Sequence, residues 1–214
     1  MGQIIRSVMV AAVVSLALCL LSAGPSFAAQ KKVIYFTFDD GPGAVYTPQI
    51  LNILRQKHVH ATFFVLGYRC RALPAIVRRI QREGHEIGSH GYDHADLSHR
   101  SFSVVKSEIT RADSAIITAV GHKPIYYRPP YGALRQGDTL AIQRLGHKVA
   151  YWTVDSQDWK AKSAVRIVQN VERSAHSGSV VLFHDGVNGS RYTVQALPIL
   201  IDYYRAKGYE FRTL

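Results

Sequence analysis

The amino-acid sequence predicts an α/β fold whose β-strands run parallel. From residue 32 to the C-terminus, short apolar runs alternate with segments of helical periodicity, giving seven candidate strands interleaved with six candidate helices. Strict alternation favours parallel strands joined by helical crossovers. Polar residues also follow directly after five of these strands, and the carboxyl ends of parallel strands share one rim. This pattern allows either an open doubly wound sheet or a closed or nearly closed barrel.

The candidate strands are short apolar runs that lack helical periodicity. They cover residues 33–38, 61–66, 86–88, 125–127, 148–154, 179–183 and 209–213. The fourth strand stops at Pro129 and Pro130, because proline has no N–H to donate to a neighbouring strand. No linker, internal repeat or low-complexity stretch follows residue 28, which indicates a single domain.

The candidate helices carry apolar residues at helical spacing, as amphipathic helices do. They cover residues 47–57, 72–83, 101–120, 138–145, 163–175 and 192–206. Ser163 is suited to cap the fifth helix at its N-terminus. Four of the helices end at a glycine, the residue preferred at a helix C-terminus, namely Gly84, Gly121, Gly146 and Gly208.

The first 28 residues have the pattern of a secretory signal peptide. Arg6 supplies the positive start, residues 8–21 are almost wholly apolar, and Ser26-Phe27-Ala28 resembles a signal peptidase site. The alternative is an uncleaved membrane anchor, but the apolar run is short for a crossing that needs about 20 residues. We therefore predict cleavage after Ala28 or one residue later, and a secreted or envelope-associated product without a membrane segment.

Composition excludes several classes of protein. The chain has 214 residues, of which 47% are hydrophobic, too many for a disordered protein. Of the two cysteines, Cys19 lies in the predicted signal peptide, so Cys70 alone remains and no intramolecular disulfide forms. With 26 basic and 15 acidic residues the net charge is +11. The basic residues are scattered and no nucleic-acid motif is present, so the charge indicates either solubility or attraction to an anionic cell envelope.

Two carboxylates and two imidazoles are the candidate metal ligands. Asp39 and Asp40 follow the first strand, where Gly41-Pro42 bends the chain so that both carboxylates can reach one site. His90 and His94 are four residues apart, and one helical turn would place both imidazoles on the same side. Two histidines and one carboxylate are typical of a catalytic metal site with open positions. The alternative is a solvated turn and two surface histidines.

Five motifs in fixed order resemble those of the polysaccharide deacetylases, carbohydrate esterase family four, which share the NodB homology domain. They are Thr-Phe-Asp-Asp-Gly-Pro at 37–42, His-Gly-Tyr-Asp-His at 90–94, Arg-Pro-Pro-Tyr-Gly at 128–132, Asp-Ser-Gln-Asp-Trp at 155–159 and Leu-Phe-His-Asp at 182–185. The resemblance implies a distorted (β/α) barrel of about seven parallel strands. It assigns residues 29–214 to the catalytic domain.

The resemblance also implies which residues of the first two motifs bind a metal ion. Asp40, His90 and His94 would hold a divalent metal ion, zinc first and cobalt or manganese as alternatives. Relatives usually have serine or threonine directly after the first motif histidine, where this chain has Gly91. The missing hydroxyl raises the question of what braces the metal-binding loop.

The other motifs would supply proton transfer and substrate contacts. By the same resemblance, Asp39 is the general base and Arg128 pairs with it, while His184 is the general acid and Asp158 its charge partner. Tyr131 would offer its backbone N–H to the oxyanion of the reaction. Two further residues would wall the pocket for the acetyl methyl group, namely Trp159 and Leu182.

These assignments predict a metal-dependent deacetylase of N-acetylglucosamine-containing glycans, either peptidoglycan or chitin oligosaccharides. Hydrolysis of an amide needs an activated water, a base, oxyanion stabilisation and an acid for the leaving amine. An acetylxylan esterase on the same scaffold and a non-catalytic cell-wall glycan-binding module are the alternatives. A pure binding module would not need the proton-transfer residues. We expect an acetylated glycan as the partner, no nucleic acid, and a monomer.

Overall fold

A computed structural model describes residues 31–135 and 137–214, and Lys31–Leu214 form one compact unit. The predicted signal peptide and Cys19 lie outside the described residues. All strand pairs of the unit are parallel, and the sheet curls into part of a barrel with the helices packed around it. The prediction of a single-domain, distorted (β/α) barrel is thus confirmed. No helix among the described residues has the length and apolarity that a membrane crossing requires.

The strands and helices follow the predicted alternation, with two additions. The strands are β1 (Lys32–Gly41), β2 (Thr62–Val65), β3 (Glu86–Ser89), β4 (Tyr126–Tyr127), β5 (Lys148–Val149), β6 (Val154–Asp155), β7 (Val180–His184) and β8 (Tyr209–Phe211). The helices are α1 (Tyr46–Gln56), α2 (Gly67–Ala72), α3 (Pro74–Arg82), α4 (Phe102–Val120), α5 (Asp138–Arg144), α6 (Ala164–Ser174) and α7 (Ser190–Ala206). Short 3₁₀ turns cover Pro130–Gly132 and Asp158–Lys160.

Strand β1 lies at the centre of the sheet. The strand order is β5-β4-β3-β2-β1-β7-β6, and β8 pairs with the first residues of β1. A stack of aromatic rings fixes the centre of the sheet: Phe38 stacks between Phe63 and Phe183 at centroid distances of 5.0 and 5.6 Å. These rings are fully buried, so the strand that ends in Asp39 and Asp40 is anchored in the rigid part of the core.

The predicted strand 148–154 is wrong in one respect, because it forms two strands at opposite ends of the sheet. β5 pairs with β4, whereas β6 pairs with β7. Between them, the carbonyl groups of Ala150 and Tyr151 accept hydrogen bonds from the Arg128 side chain at 3.3 and 3.1 Å. Between β5 and β6, the Arg128 guanidinium thus supplies the hydrogen bonds that a neighbouring strand would otherwise supply.

Helix α2 was not predicted. The predicted helix 72–83 corresponds to α3, and the preceding Gly67–Ala72 forms a separate short helix. Gly67 permits it to pack closely, since a Cβ atom there would lie 2.7 Å from the Cα atom of Ala112 in α4. The close approach places α2 against α4, the helix that carries Glu108.

Candidate active site

The end of β1 directs two consecutive carboxylates into one cavity. Neighbouring residues of a regular strand point to opposite faces, but the pairing of β1 with β2 shifts register between Asp39 and Gly41. Asp40 also has a φ angle of 70°, in the left-handed region. An irregularity of this kind re-aims side chains at the rim of a barrel. The register shift and the left-handed backbone of Asp40 therefore explain how both carboxylates reach one site, as expected.

Arg128 is a wholly buried arginine that holds Asp39. Its Nη1 donates hydrogen bonds to Oδ1 of Asp39 and to Oγ1 of Thr37, both at 2.8 Å, and the guanidinium lies 3.9 Å from the ring centroid of Phe64. Burial of a charge is costly unless it is paired and hydrogen-bonded. Because Arg128 occupies Oδ1, the other carboxylate oxygen of Asp39 remains available, and it lies 3.7 Å from Nε2 of His90.

Asp40, His90 and His94 form a cluster that fits a divalent metal ion. Oδ1 of Asp40 lies 3.5 Å from Nε2 of His90 and 3.1 Å from Nε2 of His94, and the three atoms lie within 4.8 Å of one another. Nδ1 of His90 lies 2.7 Å from the Arg128 carbonyl oxygen, which only accepts hydrogen bonds. Nδ1 therefore carries the proton, and the lone pair of Nε2 faces the carboxylate. A cation between them satisfies both groups.

Electrostatics keeps Asp40 ionised. Burial acts to raise the pKa of Asp40, but the neighbouring imidazoles of His94, His90 and His184 lower it to about 2. A carboxylate that is ionised and partly buried beside two imidazole nitrogens has the donor chemistry of a catalytic metal site.

The prediction of a helical turn from His90 to His94 is wrong. Gly91 and His94 have φ angles of 81° and 66°, so the segment is a loop. The loop is braced by Glu108 of α4, whose Oε2 accepts hydrogen bonds from the backbone N–H groups of Tyr92 at 3.1 Å and Asp93 at 3.2 Å. Glycine suits the positive φ at position 91. Bracing from α4 thus answers the question that the missing hydroxyl raised.

His184 and Asp158 form a second pair, in which Asp158 is fully buried and His184 is partly buried. Nδ1 of His184 donates to Oδ1 of Asp158 at 2.7 Å, which leaves Nε2 as the second ring nitrogen. Oδ2 of Asp158 accepts from the backbone N–H of His184 at 2.7 Å and from Oγ1 of Thr193 at 2.6 Å. Burial acts to lower the pKa of His184, but the hydrogen bond and charge of Asp158 raise it to about 9. The imidazole is therefore protonated at neutral pH.

A cavity of about 380 Å³ collects these groups. Eight residues of the predicted site line it, namely Asp39, Asp40, His90, His94, Tyr131, Trp159, Leu182 and His184. Arg128 and Asp158 lie behind the lining, each fully buried and hydrogen-bonded to a residue in it. The motifs therefore converge on one cavity at the carboxyl ends of the strands.

Sequence reasoning missed several residues of this region. Trp152 and Asp155 line the cavity, and Trp152 packs against Gly132, where a Cβ atom would lie 3.1 Å from its ring. Glu108 and Thr193 act through hydrogen bonds to the loop and to Asp158. The only sequence signal for Glu108 and Thr193 was a polar residue on the buried face of a helix.

Asp185 is a further buried carboxyl group beneath the β1 turn. Its Oδ2 accepts a hydrogen bond from Thr47 at 2.5 Å, and a Cβ atom on Gly41 would lie 2.4 Å from that same oxygen. Burial raises the pKa of Asp185 to about 7 despite the Thr47 hydrogen bond. Asp185 therefore supports the turn that carries Asp40 and requires glycine at position 41.

Known proteins share both the sequence pattern and the fold. Residues 28–150 match the family model described as polysaccharide deacetylase. A peptidoglycan-N-acetylglucosamine deacetylase of Bacillus cereus is 36% identical over 186 residues, covering 86% of this chain and 87% of the relative. A chitooligosaccharide deacetylase of Bradyrhizobium sp. is 35% identical, covering 85% and 88%. The peptidoglycan-N-acetylglucosamine deacetylase PgdA of Listeria monocytogenes is 36% identical, but this chain spans only 38% of its length.

Solved structures agree with these sequence relatives. The peptidoglycan deacetylase PdaC from Bacillus subtilis has a TM-score of 0.79 at 34% identity, covering 86% of this chain and 89% of that one. A family 4 carbohydrate esterase from Streptomyces lividans has a TM-score of 0.77 at 33% identity, covering 84% and 91%. A pseudoenzyme of the same family from Bacillus anthracis has a TM-score of 0.80 at 28% identity, covering 86% and 64%. The chain belongs to the polysaccharide deacetylase family.

Proposed function

We propose that this protein is a metal-dependent hydrolase that removes N-acetyl groups from N-acetylglucosamine residues of a glycan, either peptidoglycan or chitooligosaccharides. The observation that carries the proposal is one cavity in which two hydrogen-bonded pairs, Asp39–Arg128 and His184–Asp158, adjoin a three-residue cluster that fits a metal ion. The names of the relatives support N-acetylglucosamine as the sugar. A similar fold alone does not imply activity, since a pseudoenzyme shares it.

Asp39 is the general base in this proposal. The Arg128 hydrogen bond at 2.8 Å fixes the carboxylate and compensates its charge, while Oδ2 lies at the edge of the metal cluster. From this position Oδ2 takes the proton of the water that attacks the acetyl carbonyl carbon. Asp39 and the metal cluster line the same cavity, so the base and the attacking water are held close together.

Asp40, His90 and His94 are the proposed ligands, and zinc is the proposed metal because two imidazoles and a carboxylate suit it. Cobalt and manganese also accept such ligands. When bound, the ion supplies Lewis-acid activation of the water and of the acetyl carbonyl. Glu108 holds the ligand-bearing loop, and the Arg128 carbonyl fixes the tautomer of His90.

His184 is the proposed general acid. With its pKa raised to about 9, its imidazole is protonated at neutral pH and donates a proton to the nitrogen of the departing amine. Asp158 accepts a hydrogen bond from Nδ1 of His184. Nδ1 is therefore occupied, and Nε2 is the nitrogen that transfers the proton. Asp158 then stabilises the imidazolium before the proton is transferred, and Thr193 in turn holds Asp158.

The rest of the cavity suits the acetyl group and the sugar. No hydrogen bond among the described residues uses the backbone N–H of Tyr131, whose φ angle is 60°, so this N–H is the proposed donor to the oxyanion. Leu182 is almost fully buried, whereas Trp159 is 53% exposed at the rim. We assign the acetyl methyl group to Leu182 with the Trp159 and Trp152 rings as the other walls.

Export and oligomeric state complete the proposal. We propose that residues 1–28 direct export and are removed, so that the monomeric product meets its glycan in the cell envelope or outside the cell. Mass spectrometry of the secreted protein tests this directly. A first residue at position 29 or 30 supports export, and a product that retains Met1 overturns it.

Acetate release from a panel of acetylated glycans tests the activity. The panel contains chitopentaose, peptidoglycan fragments and acetylxylan, and the protein is assayed as purified, after chelation and after addition of zinc. We expect release from the N-acetylated glycans that chelation abolishes and zinc restores. Release from acetylxylan alone would favour the esterase, and glycan binding without any release would favour a binding module. Asp202→Asn, which removes an exposed carboxylate outside the cavity, is the matched control for an Asp39→Asn variant in the same assay.

A further inference from the structure

A second groove lies beside the catalytic cavity, between the Asp158–Lys160 turn and the N-terminal half of α6. It measures about 620 Å³ and is lined by three basic residues, Lys160, Lys162 and Arg166. Its other lining residues are neutral, among them Gln157 and Asn170, and no carboxylate lines it. The groove is therefore a concave surface of one charge sign.

Within the described part of the chain, the three cations of this basic groove have no anionic partner. Across residues 31–135 and 137–214, none of the three side chains forms an ion pair or donates a side-chain hydrogen bond. Some basic side chains elsewhere pair with carboxylates, for example Lys57 with Asp202 at 2.6 Å. All three are exposed, so their charge is available to a ligand.

The Asp158–Lys160 turn contributes residues to both the basic groove and the catalytic cavity. Trp159 lines the catalytic cavity, whereas Lys160, the next residue, lines the groove, and its ammonium group lies 5.0 Å from the centroid of the Trp159 ring. Asp155 and Gln157 are likewise divided between the two, with Asp155 in the cavity and Gln157 in the groove. A polymer that occupies the cavity and extends past Trp159 therefore meets Lys160.

We propose that the basic groove binds carboxylate groups of a glycan strand whose acetylated sugar occupies the catalytic cavity. This inference rests on the proposed deacetylation and names its substrate class: the strand is anionic, as a peptidoglycan strand is, and a neutral chitooligosaccharide lacks the contact. Exposed cations strengthen the binding of an anion modestly and in a salt-dependent way. The carboxylates are those of the lactyl groups or those of the attached peptides.

The test compares matched substrates. They are glycan strands with peptides, strands freed of peptides so that each lactyl carboxylate is exposed, the same strands with carboxylates converted to methyl amides, and chitopentaose. For each we measure acetate release by the zinc-loaded protein, and we form the ratio of kcat/KM on charged and neutralised strands. The test variant is Lys162→Glu/Arg166→Glu, and the control variant is Arg78→Glu/Arg82→Glu on the exposed side of α3, with the same change in charge.

We expect the ratio of kcat/KM on charged and neutralised strands to fall about tenfold in the test variant, because two exposed ion pairs each contribute a factor of a few. The ratio should be unchanged in the control variant. The ratio of the unmodified protein should also fall as salt rises from about 0.01 M to about 1 M, over which the Debye length shrinks from about 30 Å to about 3 Å. A loss on the peptide-free strands assigns the lactyl carboxylates, and a loss confined to strands with peptides assigns the peptide carboxylates.

Failure of this inference is distinct from failure of the proposed function. If the unmodified protein releases acetate but its ratio does not depend on Lys162 and Arg166, the groove does not bind carboxylates. An equal loss in test and control variants also overturns the inference, because it reflects total charge alone. If no substrate releases acetate, the proposed function itself is wrong.

Discussion

Replacing Asp158 with asparagine tests the electrostatic design of the proposed acid. The substitution keeps the shape of the side chain and an oxygen that can accept from Nδ1 of His184, but it removes the negative charge and replaces the oxygen that accepts from the backbone N–H of His184 with an amide nitrogen. Burial then lowers the pKa of the imidazole, and only the charges of Asp39 and Asp40 remain to oppose it. We expect the pKa of His184 to fall from about 9 toward or below the ordinary value of 6.5.

The magnitude follows from the two pKa values. The difference between about 9 in the fold and 6.5 for an ordinary histidine corresponds to about 3 kcal/mol. Because the folded-state value is the higher one, this group stabilises the fold fully below pH 6.5, and the contribution is lost as the pH rises through about 9. The variant should therefore be less stable by about 3 kcal/mol near pH 6, and the difference should shrink toward pH 9. At neutral pH it should also lose turnover at least severalfold, because an imidazole with a pKa of 6.5 or lower is mostly deprotonated there.

An NMR titration of the metal-free protein measures the pKa of His184 directly. The imidazole signal is assigned by its absence in a His184→Gln variant, and urea unfolding at several pH values supplies the stability. Asp155→Asn is the matched control, since it removes a cavity carboxylate that makes no hydrogen bond to His184. An unchanged pKa of His184 in the Asp158→Asn variant would refute the reasoning.

Three further changes probe the supports of the site. Glu108→Gln removes the charge that braces the metal-binding loop, and zinc affinity measured by calorimetry should fall about 10-fold to 100-fold; an unchanged affinity would show that the loop holds itself. Gly41→Ala forces a Cβ atom against Asp185, and urea unfolding should show a loss of about 1–3 kcal/mol. A Gly41→Ala protein as stable as the original would contradict this packing. Thr193→Val removes one of the two hydrogen bonds that Oδ2 of Asp158 accepts and leaves only that from the His184 N–H. The free energy of unfolding should fall by about 1–3 kcal/mol, and no loss would show that water replaces the hydroxyl.

The fold and the rim of the site could be predicted because their signals are local. Alternation of apolar runs with helical segments indicated parallel strands, and the polar residues after each strand indicated a common rim. Asp39 and His184 lie near the carboxyl ends of strands, and His90, Arg128 and Asp158 lie just beyond strands, so the topology brought all five together. The family resemblance then supplied roles that spacing could not.

The errors arose where long-range contacts override local pattern. Residues 148–154 read as one strand, but hydrogen bonds from the distant Arg128 hold the carbonyls of the connection between β5 and β6. The loop of His90 and His94 read as a helical turn, but Glu108 and two positive φ angles give it another shape. Neither effect is visible in a window of a few residues, since the partners lie far apart in the chain.

The metal-loaded Asp39→Asn variant provides the most direct test of the central claim that Asp39 is the base at a metal centre. Asparagine still accepts a hydrogen bond from Arg128 but cannot take a proton from water. The proposed function predicts a zinc content equal to that of the unmodified protein together with a loss of about 100-fold or more in acetate release from an N-acetylglucosamine oligomer. Near-normal release at full zinc content would contradict it.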